Sequence, residues 1–599
     1  MSLQFHAAIS EQEREMSSVI KFIFSSTIGI ATLFLTACKG DQIPLEPTVL
    51  PTLTVTPQVD LPTILSVEAD RGEVPRYEAV ELTLEIDAGY SNPYDAREIA
   101  LDAVFTSPDG KQLSIPGFWD GAGAWKIRFT PGQEGLWTYS ISVTDRRGTG
   151  FPYLGELTVT ASDLHGWIQM GHLFDPSYSG RYFVYHDGTP FYGVGHADAL
   201  NILIDGFDAT EGVGLFDTMK GANENYVVWW PLYTNSPVNS SYDDYSVGNM
   251  SVIDAVVRDA EKEGIFLVFT VWDHPQLRDD NHPTWDTGNW VRNGFSKLTS
   301  LENFFVSEEA WDWQENLYRY IIARWGYSRA IAMWQTVSEV NGTNALDQTD
   351  PWHEKVNAYF VANDPYRHPT TASGSGEVDW VEGHMVMDVP QVHLYEWNED
   401  AIGAAAHTAE WTRRMWDRAE KPNWIGEFGV TGDTHYPELF HHSIWAALAS
   451  GAAMTPAEWN SGGAWGRLTP EMNADLSRFA SFVTDLSLAQ WNPSTLEIRS
   501  SDREVRAWGL AGNDGGLFWV QDFSLEGRPI DEVRDEMPLR TAVQVNVQGL
   551  SAGPYTVQPY DTWQGVYLDE ISVECTEGEV CSIALPDFTS DMAFRIVRN

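Results

Sequence analysis

The sequence predicts a multidomain protein in which a central (β/α)8 barrel sits between an N-terminal and a C-terminal β-sandwich. Three observations carry that expectation. Short runs of period-two alternation fill residues 64–162 and again 492–599, as half-buried antiparallel strands require. Over 163–491, apolar strand-length runs alternate with amphipathic helical patterns, which is how a parallel sheet wrapped by helices reads. Within that middle region two strand-like runs, Ile331-Ala-Met-Trp-Gln-Thr-Val and Trp424-Ile-Gly, each lead into a glutamate, Glu339 and Glu427. At 599 residues the chain exceeds a single core.

The first residues follow neither pattern. Lys21 precedes an apolar run from Phe22 to Leu35, which closes on Leu35-Thr-Ala-Cys38. A charged region, an apolar region and a small-residue cleavage site make residues 1–38 a signal peptide, with Met16 as an alternative start. The Leu-Thr-Ala-Cys run resembles a bacterial lipobox, which implies lipid modification of Cys38. Residues 39–63, rich in proline and threonine, cannot bury a core and read as a semi-extended tether. The formal net charge of −48 repels nucleic acid and anionic membrane surfaces, so neither is an expected partner, and a polyanionic substrate is disfavoured. Aromatic residues make up 13% of the chain, with 26 tryptophans, which suits both β-rich cores and stacking on sugar rings.

In the N-terminal module the alternating runs include Val80-Glu-Leu-Thr-Leu-Glu-Ile, Ala124-Trp-Lys-Ile-Arg-Phe and Leu136-Trp-Thr-Tyr-Ser-Ile-Ser-Val. Turns fall at Ser107-Pro-Asp-Gly and Thr130-Pro-Gly, and Trp119, Trp125 and Trp137 fit a sandwich core. The eight barrel strands are placed at 191–195, 226–230, 265–270, 331–337, 369–372, 392–395, 424–426 and 452–455, with helices at 252–263 and 311–325 among them. Alternation returns in Val505-Arg-Ala-Trp-Gly-Leu and Ala542-Val-Gln-Val-Asn-Val. Cys575 and Cys581 flank a Glu-Gly turn, a spacing open to a hairpin disulfide in an exported protein.

Side chains at the C-terminal ends of barrel strands face the active site. Glu339 after strand four and Glu427 after strand seven are therefore expected to meet across the mouth. Two carboxylates about 5 Å apart serve a retaining glycosidic cleavage, one as proton donor and one as nucleophile. Other mouth positions hold His196 and Asp198 after strand one, Trp272, Asp273 and His274 after strand three, His393 on strand six and Trp459 after strand eight. Trp459, with Trp272 and Trp397, is expected to form sugar-stacking walls, while His274 and His393 either bind hydroxyls or hold loops. Histidines at strand ends also suit a metal-dependent hydrolase, but strand one lacks a His-x-His pair and no metal-binding lysine is evident. No metal and no other cofactor is expected.

Tyr320-Ile-Ile-Ala-Arg-Trp-Gly and Trp424-Ile-Gly-Glu-Phe-Gly resemble the clan A glycoside hydrolases, a barrel superfamily with its acid/base on strand four and its nucleophile on strand seven. Phe118-Trp-Asp-Gly-Ala-Gly-Ala-Trp-Lys-Ile-Arg-Phe-Thr-Pro and Gly135-Leu-Trp-Thr-Tyr resemble the DUF5060 sandwich found ahead of such barrels. Pro554-Tyr-Thr-Val-Gln-Pro-Tyr-Asp-Thr-Trp-Gln-Gly resembles the β-domain that follows apiosidase-like (DUF4038) barrels. The resemblance spans nearly all of the mature chain. It implies that Glu339 is the acid/base, Glu427 the nucleophile and Tyr395 a donor to Glu427. Two positions depart from the clan. The asparagine usual before the acid/base is Ser338, with Asn341 as a substitute, and the arginine usual at the end of strand two is replaced by Trp229-Trp230-Pro231, which puts Trp230 in the mouth.

Together these readings describe an exported, lipid-anchored retaining glycosidase acting on an extracellular polysaccharide or its oligosaccharides. The alternatives are a non-catalytic glycan-binding protein on a degenerate barrel and a transglycosylase. Residues 231–250 and 275–306 are expected to shape the subsites.

Overall fold

The computed structural model describes residues 60–599 except 122, 199–201, 203–206, 209–211, 239, 280–287, 345, 397–399, 431–435, 460–467, 530–535 and 577–578. Trp397 and the Cys38 segment lie outside the described residues. Among the described residues no helix is long and apolar enough to cross a membrane.

The N-terminal module consists of two sheets around one apolar core. One sheet orders Thr63–Ala69, Val80–Asp87, Trp125–Phe129 and Phe118–Trp119; the other is built on Ile99–Thr106, Gly135–Asp145 and Tyr153–Thr160. Alternation does the work expected of it: every second residue of Ile99–Thr106 is buried. Leu82, Leu84, Ile127 and Phe129 from the first sheet meet Leu101, Phe105, Ile141 and Val143 from the second, and Phe105 stacks on Phe129 at 3.9 Å. Trp125 and Trp137 are buried in this core.

The middle of the chain is a nearly closed barrel of seven parallel strands in sequence order: Gly195–Ala197, Tyr226–Trp229, Phe266–Thr270, Ile331–Gln335, Thr370–Ala372, Val389–Glu396 and Trp424–Val430. These are numbered here as barrel strands one to seven. Strands two to four are buried at every residue, because helices cover one face and the barrel interior fills the other. The helix Val247–Glu263 ends where Gly264 takes a left-handed φ of 73°, and Ser307 caps Glu308–Trp325 by accepting from the Ala310 N–H.

Strand one differs from expectation. Pro190–Phe191 pairs antiparallel in a separate three-stranded sheet with Ile168–Met170 and Phe183–Tyr185, and the barrel strand starts only at Gly195. At that start a Cβ on residue 195 would lie 1.9 Å from the Tyr226 carbonyl oxygen, so only glycine lets the two strands approach. The expected eighth strand forms no ladder. Met454 bridges Gly193 and Glu458 bridges Phe428 singly. Backbone bonds from 452–459 nonetheless reach both neighbours, with Ala457 N donating to Ile425 O at 3.0 Å and Thr455 N donating to Gly193 O at 2.9 Å. This seam spans the gap between strands seven and one without regular pairing.

The C-terminal module carries a seven-stranded antiparallel sheet and two smaller sheets, with Val520, Val545, Val557, Ile583 and Phe594 in its core. A disulfide joins Cys575 to Cys581. Both flanking modules are tied to the barrel by buried charge. Arg128 of the N-terminal module reaches Asp254 on a barrel helix at 3.0 Å, and Arg324 holds the same carboxylate at 2.7 Å. Asp591 of the C-terminal module meets His441 of the helix Pro437–Ser450 at 3.1 Å.

Candidate active site

Glu339 stands four residues beyond the end of strand four, not directly after it, because the strand stops at Gln335 and Ser338 makes a single bridge to Asp273. Its backbone is left-handed, φ 58° and ψ 57°, and is held there by its N–H donating to Ser373 Oγ at 3.0 Å. A glutamate in that conformation is sterically disfavoured, and such strain clusters at functional sites. Glu427 lies inside strand seven rather than past its end. The register with strand six shifts there: Val392 pairs with Ile425 but His393 pairs with Glu427, leaving Gly426 as the extra residue. A bulge of this kind re-aims the next side chain. A Cβ at 426 would sit 1.5 Å from Gln391 Oε1, so any other residue there would displace the Gln391 side chain.

These two devices bring the carboxylates together around His393. Its Nδ1 lies 2.8 Å from Glu339 Oε1 and 3.1 Å from Glu427 Oε2. Tyr395, two residues along the same strand and so on the same face, donates its hydroxyl to Glu427 Oε2 at 2.6 Å. His274 Nδ1 stands 3.4 Å from Glu339 Oε2. Both glutamates are 4% exposed, and His393 is fully buried. Burial by itself would lower the His393 pKa, but the Glu427 and Glu339 carboxylates outweigh it and push it up to about 9. Burial, then the charge of Glu427, holds the Tyr395 hydroxyl well above its ordinary value, so it stays a donor.

One ligand atom from each of Glu339, His393 and Glu427 fits within 4.8 Å, a spacing that a cation could also occupy. With His393 protonated, both ring nitrogens carry hydrogen, and Nδ1 donates to the carboxylates.

The remaining expected residues divide. Trp230 and Trp459 come together, ring centroids 5.1 Å apart, with Trp459 partly exposed, and His274 meets Trp230 edge-on at 5.8 Å. His196 belongs to strand one itself, with Nδ1 2.5 Å from Glu224 Oε2. Ser338 is buried, its Oγ without a hydrogen-bond partner among the described residues. Two expectations fail. Trp272 is fully buried, donates Nε1 to Tyr318 at 2.9 Å and packs edge-on against Phe295 and Phe304, so it is core and offers no face to a sugar. Asn341 does not replace the missing asparagine, because its Oδ1 accepts from the Ser375 N–H at 2.6 Å and its amide faces the Ser375 carbonyl. Asp273 caps the turn His274–Leu277, accepting from Gln276 N at 3.0 Å.

Two residues absent from the sequence reading touch strand one and the seam. Glu224 precedes strand two and orients His196. Glu458 precedes Trp459 on the seam, and burial pushes its carboxyl up to about 8, with His196 the opposing charge. An acid between Ala457 and Trp459 was the available signal for Glu458, whereas Glu224, between Asn223 and Asn225, carried none.

The N-terminal module contains a DUF5060 domain, a domain of unknown function, matched over residues 73–144. No curated protein matches the sequence. Among solved structures, a candidate glycoside hydrolase from Bacteroides vulgatus ATCC 8482 shares the fold at 18% identity, covering 88% of this chain and 100% of its own, with a TM-score of 0.62. A family 39 glycoside hydrolase from Bacteroides cellulosilyticus WH2 aligns at 11% identity over 89% of this chain and 100% of its own, with a TM-score of 0.40. An endo-β-1,4-mannanase from Thermotoga petrophila aligns at 12% identity over 68% of this chain and 98% of its own, also at 0.40.

Proposed function

We propose that this chain is a retaining glycoside hydrolase with Glu427 as nucleophile and Glu339 as general acid and base. The observation that carries the reading is the approach of two buried glutamates, with oxygens within 4.8 Å of one another. Retention uses carboxyl groups about 5 Å apart, whereas inversion needs roughly 6.5 Å or more to admit a water. Tyr395 and His393 both hold Oε2 of Glu427, so Oε1 is the oxygen directed at the anomeric carbon. Attack forms a glycosyl-enzyme while Glu339 protonates the departing oxygen. Glu339, then a carboxylate, takes a proton from water, the water attacks the same carbon, and Glu427 is released. His393 supplies next to both carboxylates the positive charge that the resemblance would place on a strand-two arginine.

The same proposal takes 452–459 as the eighth strand of the barrel, the flanking modules as accessory β-sandwiches, and residues 1–63 as an export signal, a lipid attachment at Cys38 and a spacer. A protein starting at residue 64 is then expected to be soluble and fully active.

Azide rescue tests the roles of the carboxylates. Glu339→Gln should still form the glycosyl-enzyme from an activated aryl glycoside and then stall, and azide should restore turnover with retained configuration. Glu427→Ala should be rescued, if at all, with inversion. The reverse pattern exchanges the roles, and inversion by the unaltered enzyme removes the covalent mechanism.

A further inference from the structure

The seam of the barrel holds a second group of buried polar side chains that double displacement does not use. His196 is 2% exposed, and its Nδ1 is fixed by Glu224, itself buried, at 2.5 Å. That contact sets the ring and leaves Nε2 as the outward atom, buried and without a hydrogen-bond partner among the described residues. Trp230 Nε1 is in the same condition. An unsatisfied buried donor costs about 1–3 kcal/mol, so two in one mouth point to a ligand that completes them.

Glu458 adjoins this pair. Its carbonyl accepts from the Ala197 N–H at 3.1 Å, one residue from His196, and its backbone bridges Phe428, one residue from Glu427. The carboxyl is buried and lies within electrostatic reach of both His196 and Tyr395, the donor to Glu427. Donors from strands one and two and a carboxyl from the seam therefore border the nucleophile's side of the mouth. Trp230 and Trp459 supply apolar faces beside them.

We propose that His196, Trp230 and Glu458 form the subsite for the sugar whose anomeric carbon Glu427 attacks, with Glu224 as the residue that positions His196. The subsite takes a neutral, hydroxyl-bearing sugar: His196 Nε2 and Trp230 Nε1 donate to its hydroxyl oxygens and Glu458 pairs with a hydroxyl proton. A uronate is refused, because its carboxylate would be brought beside the buried Glu427 carboxylate. This inference rests on the glycosidase reading.

The test begins with the unaltered enzyme on neutral plant and algal polysaccharides, compared with alginate and polygalacturonate. Cleavage is expected among the neutral polymers only. Monodeoxy 4-nitrophenyl glycosides of the sugar cleaved then show which hydroxyls are read. For one of them, kcat/KM is expected to fall about 10–100-fold with the unaltered enzyme, as for a hydrogen bond to a charged group. His196→Ala should erase that discrimination, Glu224→Gln should weaken it, and His196→Gln, which keeps an N–H near Nε2, should recover part of it. Cleavage of the polyuronates, or deoxy penalties that survive His196→Ala unchanged, overturns the subsite while leaving the carboxylate pair intact. Cleavage of no polymer and no glycoside sinks the glycosidase reading, and this inference with it.

Discussion

Two buried histidines, His393 in the barrel mouth and His441 at the joint with the C-terminal module, share almost every property except completeness. Each stands between two carboxylates, and each is raised to about 9 by them against the opposing effect of burial. His441 uses both ring nitrogens, Nδ1 to Asp475 at 2.8 Å and Nε2 to Asp591 at 3.1 Å, and Trp563 covers its face at 3.8 Å. Asp591 accepts further bonds from Trp519, Thr562, Trp563 and Ser590. His393 places a single nitrogen against both glutamates, and its Nε2 is buried with no partner among the described residues. Similar charge and burial therefore mean different things. The His441 network is saturated within the chain and holds modules together, while His393 keeps one ring nitrogen unpartnered among the described residues beside the two glutamates.

The largest expected effect separates the two sites by activity. Glu427→Gln should lower turnover about 10⁴-fold or more, since it removes the proposed nucleophile. A variant retaining one per cent of activity would break the comparison. Asp591→Asn should do the opposite, costing about 3–5 kcal/mol of stability by leaving a buried charge uncompensated while kcat of the folded protein holds. Denaturant titration beside steady-state rates decides it, and a fall in kcat without a fall in stability would place the joint in the catalytic machinery.

The tryptophans sharpen the same contrast. Trp272→Ala should cost about 3–5 kcal/mol, as for a buried aromatic, whereas Trp459→Ala should weaken turnover with little change in Tm. Equal Tm losses would return Trp459 to the core.

Smallest is the pH dependence. Both histidines titrate above their ordinary 6.5, so the stability they add is complete below that value and lost as pH rises through about 9. Glu458 is raised to about 8 from its ordinary 4.5, so its burial penalty grows across that interval. Glu458→Gln should therefore raise Tm by about 2 °C near pH 8.5 and leave it unchanged near pH 4. A gain of the same size at both pH values would assign the effect to packing.

Much of this was legible in the residues because periodicity reports burial, and the apolar runs at 226–230, 265–270 and 331–337 could be little else than buried parallel strands. Glu339 after the last of them and Glu427 after 424–426 were equally visible. What the sequence could not show were features set by contacts between distant segments. Phe191 reads as barrel strand until it is seen paired with Phe183 in a separate sheet. The aim of Glu427 depends on a bulge that exists only in register with strand six. Trp272 and Trp459 look alike as letters, and only the surrounding Phe295 and Phe304 make one of them core. Asn341 was chemically suited to its expected role but is held by Ser375, a bond between two loops that no local pattern encodes.

The reach of Arg128 into the barrel bears on how the chain is made. Synthesis completes the N-terminal module before Asp254 and Arg324 leave the ribosome, so a folded surface bearing a fixed guanidinium is waiting when the first barrel helices emerge. Arg128 also donates to the Arg324 carbonyl at 2.8 Å, and Thr130 to the Tyr327 carbonyl at 2.7 Å, which pins the end of the helix Glu308–Trp325 and thereby the turn into strand four. A barrel expressed without the module would lack these bonds at the end of that helix, and its folding yield is expected to fall.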